Sequence, residues 1–326
     1  MLAAKIAIAI SFLSSAVLSQ PVAAQDWPKL PVRIVIPYPA GAGAADTLAR
    51  QLGERLSQKW KQPVIIDNKP GAVEILATTA VAQAKPDGYT LLLSTDAALE
   101  TNQFLFSKLP YDPSKDLTPI THLVDSPFIY VVKSDSPYRT MPELLAAAKA
   151  QPGRISYGSN GIGSNIHITV NWLAQSTGVE FLHVPYKGSV AILQDLLAGR
   201  VDFTPLPLAP MAGFVKENRV RVLATSGTSR LRVLPQVATL EELGYKDTDV
   251  KIMFALSGPA NLPPAIANTI ARDVAQVLKE PDFVATSLDP FGLVPVGNSP
   301  AEFARFLSVD REKQRVRVKA ANVRLD

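Results

Sequence analysis

The sequence predicts an α/β fold of two lobes with a ligand cleft between them, and three observations lead there. Strand-type and helix-type patterns alternate along residues 32–93 and again along 155–203, as expected for βαβ units on a parallel sheet. A Pro-rich break near 104–127 separates the two runs. Each half carries a Gly/Ser-rich turn between a strand and a helix, at 37–46 and at 157–165. In open α/β sheets, ligands collect beyond the carboxyl ends of the strands.

Val32, Ile34, Val35 and Ile36 form a β-branched apolar run, the mark of a buried strand. Pro37 and Pro39 stop it. Gly41 and Gly43 permit positive φ and close backbone approach. Leu48, Leu52 and Leu56 then recur every four residues, one face of a helix, whose N-terminus offers free N–H groups and a positive dipole end to an anion. Pro63 to Asp67 reads as a second strand, the Ala-rich residues 72–84 as a helix, and Tyr89 to Leu93 as a third strand. Residues 104–119, with their prolines, read as a surface loop. Phe128 to Lys133 is a strand. Thr140 as N-cap with Glu143 three residues on opens a helix that ends near Gln151. Then come a strand at Ile155 to Tyr157, the second small-residue turn, a helix from about Asn165, a strand at Glu180 to Val184, and a helix at Ser189 to Ala198 stopped by Gly199. Short strands follow from Val201, at Val220 to Ala224 and at Ile252 to Leu256, with helices near 263–279 and 300–314.

Hydrophobic residues make up 47% and charged ones 19% of the 326, enough for a large core. A net charge of +4 without any Lys/Arg run argues against nucleic acid. The absence of cysteine excludes a disulfide framework and thiolate metal sites. His122, His167 and His183 are dispersed, so no metal is expected. Residues 1–24 read as a cleaved signal peptide: Lys5, an apolar stretch from Ile6 to Leu18, then Val22-Ala23-Ala24 before Gln25. That stretch is shorter than the ~20 residues needed to span a bilayer, so the expectation is an exported, periplasmic protein.

Six segments in order carry a resemblance: Arg33 to Pro39 with Gly41 and Asp46, Pro63 to Ala72, Pro86 to Leu93, Leu109 to Asp116, Tyr157 to Ser159, and His183 to Gly188. Together they resemble the Bug-type periplasmic solute receptors of tripartite tricarboxylate transporters, over essentially the whole chain after residue 24. The resemblance implies a type II periplasmic binding protein fold, with 25–126 and 252–326 forming one lobe and 127–251 the other. It implies a non-catalytic receptor that closes on a small carboxylate, without a cofactor, and delivers it as a monomer to integral-membrane permease subunits. It places ligand contacts at the first turn, Tyr38, Gly41, Ala42, Gly43, Ala44 and Asp46, and at the second, Ser159, Asn160, Ser164 and Asn165. Three departures fall in these walls. Ala40-Gly41-Ala42-Gly43 stands where the family usually has Pro-Gly-Gly, Val73-Glu74-Ile75 where it has Gly-Gly-Asn, and Leu206 where an Asp is common.

Glu74 and Asp96, with Thr95 beside them, fall near the expected cleft. Two carboxylates there would repel a polycarboxylate, which points to a monocarboxylate carrying an amino, pyridine or aromatic group; the competing reading leaves Glu74 on a solvated helix face. Asp46 is read either as a ligand contact or as a residue satisfying helix-terminal amides. Gly41-Ala-Gly43 with Asp67 resembles part of a dinucleotide fingerprint, but Asp46 stands where its third glycine would be. Ser159 and Ser164 with His167 suggest a hydrolase, the main alternative, but no Gly-x-Ser-x-Gly elbow occurs. A receptor feeding a membrane signalling sensor would use the same fold.

Overall fold

The crossing of two long strands organises the molecule. The structure, a computed structural model, describes residues 27–41 and 43–325; the expected signal peptide and Ala42 lie outside the described residues. In the first half, β1 (Val32–Ile36), α1 (Gly43–Trp60), β2 (Val64–Asn68), α2 (Ile75–Ala82) and β3 (Thr90–Thr95) form the expected βαβ units, with β1 parallel to both β2 and β3. A helical turn over 97–101 and a short α3 (Asn102–Leu105) follow. In the second half come α4 (Met141–Ala150), β5 (Ser156–Ser159), α5 (Asn165–Thr177), β6 (Leu182–Pro185), α6 (Ser189–Leu197) and β7 (Phe203–Pro207), with β5 parallel to β6 and β7.

Between α3 and α4 runs β4 (Leu117–Lys133), and after α7 (Ala212–Lys216) and β8 (Val220–Thr225) comes β9 (Lys251–Pro259). These two pair antiparallel from Leu117↔Pro259 to Pro127↔Lys251 and join all strands into one curled sheet, ordered β2-β1-β3-β9-β4-β7-β5-β6. The sequence reading put most of β4 in a loop or break. Pro119, Pro127 and the polar Thr121, His122, Asp125 and Ser126 hid it. The register shifts at Pro119/Thr121 and His122/Val124 are bulges that let an irregular, polar strand stay paired.

Buried side chains divide on either side of this crossing. One core runs from Phe128 to Val250 and is filled by Phe128, Tyr130 and Phe203. The other gathers Val32 to Val124 with Phe254 to Leu293. Chain polarity thus produces two α/β lobes joined through β4 and β9, while the last helix, α10 (Pro300–Ala321), after α8 (Pro264–Val277) and the turn α9 (Pro281–Phe283), lies against α5 and β4. The Thr140 cap forms as expected, accepting the Glu143 N–H. Ser299 and Glu302 close a reciprocal capping box on α10.

Gly158 marks how tightly α6 packs on β5, because a Cβ there would lie 2.7 Å from Cγ2 of the fully buried Ile192. Gly158→Ala is therefore expected to destabilise the protein by about 1–3 kcal/mol through overpacking, read as a lower urea midpoint at unchanged slope.

Candidate functional site

A cavity of about 600 Å³ lies between the lobes, where β4 and β9 cross. Three helices present their N-termini to it: Gly43, Ala44 and Ala45 of α1, Asn165 and Ile166 of α5, and Ser189 of α6. First-turn amides of a helix lack intrahelical acceptors, and the dipole favours an anion there. Ser164 takes up the His167 amide of α5 and leaves the amides of Asn165 and Ile166 uncapped by it; no side chain caps α6. The strands supply the rest by register. Ser126 pairs with Ile252 and Phe128 with Pro207, and all four line the cavity with Phe254, Pro210 and Phe291. Among the described residues that line it, none is Asp, Glu, Lys, Arg or His.

The first turn is held from behind. Asp46, 2% exposed, accepts the Gly41 amide at 2.8 Å, Arg50 Nε at 2.8 Å and Asn68 Nδ2 at 2.8 Å, and Asn68 also donates to the Tyr38 carbonyl at 2.8 Å. The Arg50 guanidinium, with these further donors, holds the Asp46 carboxyl down at about 2. The stabilisation it gives is therefore present above the ordinary aspartate range and is lost as pH falls through about 2. Of its two readings, the structure favours the structural one for Asp46, because both of its oxygens are engaged, by Gly41 of the turn, Arg50 of its own helix and Asn68 at the end of β2.

Of the other residues singled out from sequence, Tyr38, Gly43, Ala44, Asn160 and Asn165 line the cavity; Gly41 has its amide on Asp46, and Ala42 lies outside the described residues. Glu74, Thr95 and Asp96 do not line it. Glu74 is buried behind Tyr38, accepting the Tyr38 hydroxyl at 2.5 Å and the Thr95 hydroxyl and amide at 2.6 and 3.0 Å. Burial raises its carboxyl above the usual range despite these donors. The solvated reading of Glu74 is equally displaced, since the residue is 6% exposed. Asp96 accepts the Met253 amide of β9 at 3.2 Å and Asn165 Nδ2 across the cleft at 3.4 Å. Burial, then the nearby Glu74 charge, pushes it up to about 7.

Ser159 and Ser164 serve the second turn itself. Leu206 belongs to the second lobe's core, fully buried opposite Ile129, while its neighbour Pro207 faces the cleft, because successive strand residues point to opposite faces. Ser159 Oγ lies 2.5 Å from His183 Nε2, and His183 stacks on Tyr157 and His167. Ser159 is fully buried, and its Oγ also accepts the Gly161 amide. Phe128, Phe254, Ile252, Phe291, Ser126, Ser189, Ile166, Pro207, Ala209 and Pro210 lie outside the residues singled out from sequence. The start of α6 at Ser189 and the alternation around Phe128 were readable signals; Phe291, in a turn remote in sequence, gave none.

Comparison with known proteins agrees with this architecture. The family described as "Tripartite tricarboxylate transporter family receptor" matches residues 48–323. The protein BugT of Bordetella pertussis is 30% identical over 298 residues, 91% of each chain. Among solved structures, Rpa4515 of R. palustris with adipate is 30% identical with a TM-score of 0.78, over 92% of this chain and 99% of that one. MatC of Rhodopseudomonas palustris with bound malate is 27% identical with a TM-score of 0.72, over 90% of this chain and 100% of that one.

Asp96 gives the site a measurable pH signature. Between the unfolded value of about 4 and the folded value of about 7, the unfolded chain has lost this proton and the native one keeps it. Stability therefore falls as pH rises through that window, by on the order of 4 kcal/mol in total. Urea midpoints at pH 5 and pH 8 should fall less steeply for Asp96→Asn than for the wild type.

Proposed function

The chain belongs to the tripartite tricarboxylate transporter receptor family, and from that premise we propose that it captures a small carboxylate with an apolar, preferably aromatic, body by closing its lobes and delivers it unaltered to membrane permease subunits. The observation that carries this reading is the make-up of the cavity, three helix N-termini facing an apolar wall with no charged side chain between them. The amides and dipoles attract one carboxylate. The opposite wall, Phe128, Ile252, Phe254, Phe291 and two prolines, favours hydrocarbon or ring surface. The further carboxylates of a citrate would be desolvated against those rings without a partner.

An amino group finds no carboxylate either, since the oxygens of Glu74 and Asp96 are engaged behind the wall. Of the groups that a monocarboxylate could carry, the aromatic one therefore fits and the amino one does not. The adipate of Rpa4515 and the malate of MatC support a carboxylate. Within this reading residues 1–24 direct export to the periplasm, 127–251 form the second lobe, the hinge is the crossing of β4 and β9, and the receptor acts as a monomer.

Calorimetric titration with phenylacetate, phenylalanine, adipate, malate and citrate tests the reading. Phenylacetate is expected to bind at least about tenfold (1.4 kcal/mol) more tightly than citrate or phenylalanine. At a hundredfold excess over Kd it should stabilise the fold by about 2.7 kcal/mol, and mass spectrometry should recover it unchanged. Citrate as the tightest ligand, or chemical conversion of any bound acid, overturns the proposal.

A further inference from the structure

Residues 72–74 hold an unusual backbone. Ala72, Val73 and Glu74 adopt φ of 48°, 49° and 72° in succession, the left-handed region that L side chains avoid and that a β-branched residue tolerates least. No glycine relieves them. Hydrogen bonds fix the segment from outside: Asn102 Nδ2 donates to the Val73 carbonyl at 2.8 Å, and Thr78 Oγ1 donates to the Glu74 carbonyl at 2.8 Å. Glu74 occupies the N-cap of α2, yet its side chain caps nothing there. It turns inward instead and takes the Tyr38 hydroxyl and the Thr95 hydroxyl and amide. Backbone held in a costly conformation for a single buried carboxylate points to a job for that carboxylate.

The job is visible at Tyr38. Tyr38 lines the cleft together with Ala44 and Asn165, while its hydroxyl is committed to Glu74, which does not line it. A tyrosine whose only O–H donor is already committed presents carbon to a ligand. We propose that Glu74 is a specificity-determining positioning residue: by holding the Tyr38 hydroxyl out of the cleft it makes that wall apolar, so the receptor discriminates against ligands bearing a hydroxyl next to the carboxylate. This rests on the functional reading above and names the feature that sets its selectivity. The discrimination follows from general chemistry. A ligand hydroxyl set against the Tyr38 ring, whose own hydroxyl is committed to Glu74, loses its bonds to water without replacement from that side chain.

Phenylacetate and mandelate differ by one hydroxyl and make the comparison directly. The wild type is expected to prefer phenylacetate by about tenfold or more. Glu74→Gly suits the left-handed backbone and frees the Tyr38 hydroxyl, so it should cut that preference at least about fivefold. Glu74→Gln keeps an acceptor for Tyr38 and should restore the wild-type ratio, which a merely structural role for the charge would not require. Adding Tyr38→Phe to Glu74→Gly should return the preference, because the released hydroxyl is then absent. If Glu74→Gly melts below the assay temperature, Glu74→Asn, which tolerates the same backbone but is one methylene shorter, takes its place. A ratio unchanged in Glu74→Gly or Glu74→Asn overturns the proposal, as does a Glu74→Gln ratio that matches the glycine variant. Failure of the wild type to bind either acid is a different result. It defeats the functional reading, and this inference with it.

Discussion

The carboxylate of Asp46 is the constraint on which the cleft depends. It sits one turn into α1 and is almost wholly buried. It gathers Gly41 from the turn, Arg50 from its own helix and Asn68 from the end of β2. Asn68 passes the restraint on to the Tyr38 carbonyl. Two of the turn's glycines have positive φ, and its two prolines remove amide donors. The Asp46 network keeps the first turn of α1 aimed at the cavity. An acid at this place also meets the helix dipole favourably, so the network and the dipole favour the same side-chain type.

The charged groups around the cavity obey one rule: they stand a layer behind its wall. Asp46, Glu74 and Asp96 are each bonded to backbone amides or to the side chains that do line it. Placed in the wall itself, any of them would oppose a ligand carboxylate across a short, poorly screened distance. Set back and engaged, they shape the polar groups in front of them. For Asp96 burial goes further and pushes the carboxyl up to about 7, which favours its neutral form below that pH.

Much of the fold was legible because it follows from periodicity. The β-branched run of β1, the four-residue repeat of Leu48, Leu52 and Leu56, and the Thr140 cap each dictate local structure without help from distant residues. Where the reading failed, a tertiary interaction overrode the local signal. The polar, proline-bearing stretch of β4 becomes a strand only because β9 pairs with it. Leu206 was placed at the cleft, and a shift of one residue to Pro207 corrects it, since strand side chains alternate faces and the sequence does not state which face is the core. Glu74 stands out in the sequence as a departure from the family, but its direction depends on left-handed backbone that neither Val73 nor Glu74 advertises. The aromatic wall was the least legible part, because Phe128, Phe254 and Phe291 come from three remote segments.

In the proposed role, binding through helix termini rather than arginines also answers a kinetic problem. A bidentate guanidinium–carboxylate pair in a closed, dry cleft is strong and charge-assisted. Differences in affinity between related complexes appear mostly in the dissociation rate, so such a pair would lengthen retention as well as tighten capture. Partial charges on backbone amides supply orientation and moderate attraction while the lobes are closed. In the proposed role, parting of the lobes moves α1 away from α5 and α6, so that water reaches the carboxylate and the amides together. Each lobe keeps its own donors, held by Asp46 on one side and by the Ser159 and Ser164 turn on the other. Opening then divides the binding site between two intact halves, neither of which retains a full charge with which to hold the anion. In the proposed role, that division lets a permease receive the ligand without breaking a buried ion pair.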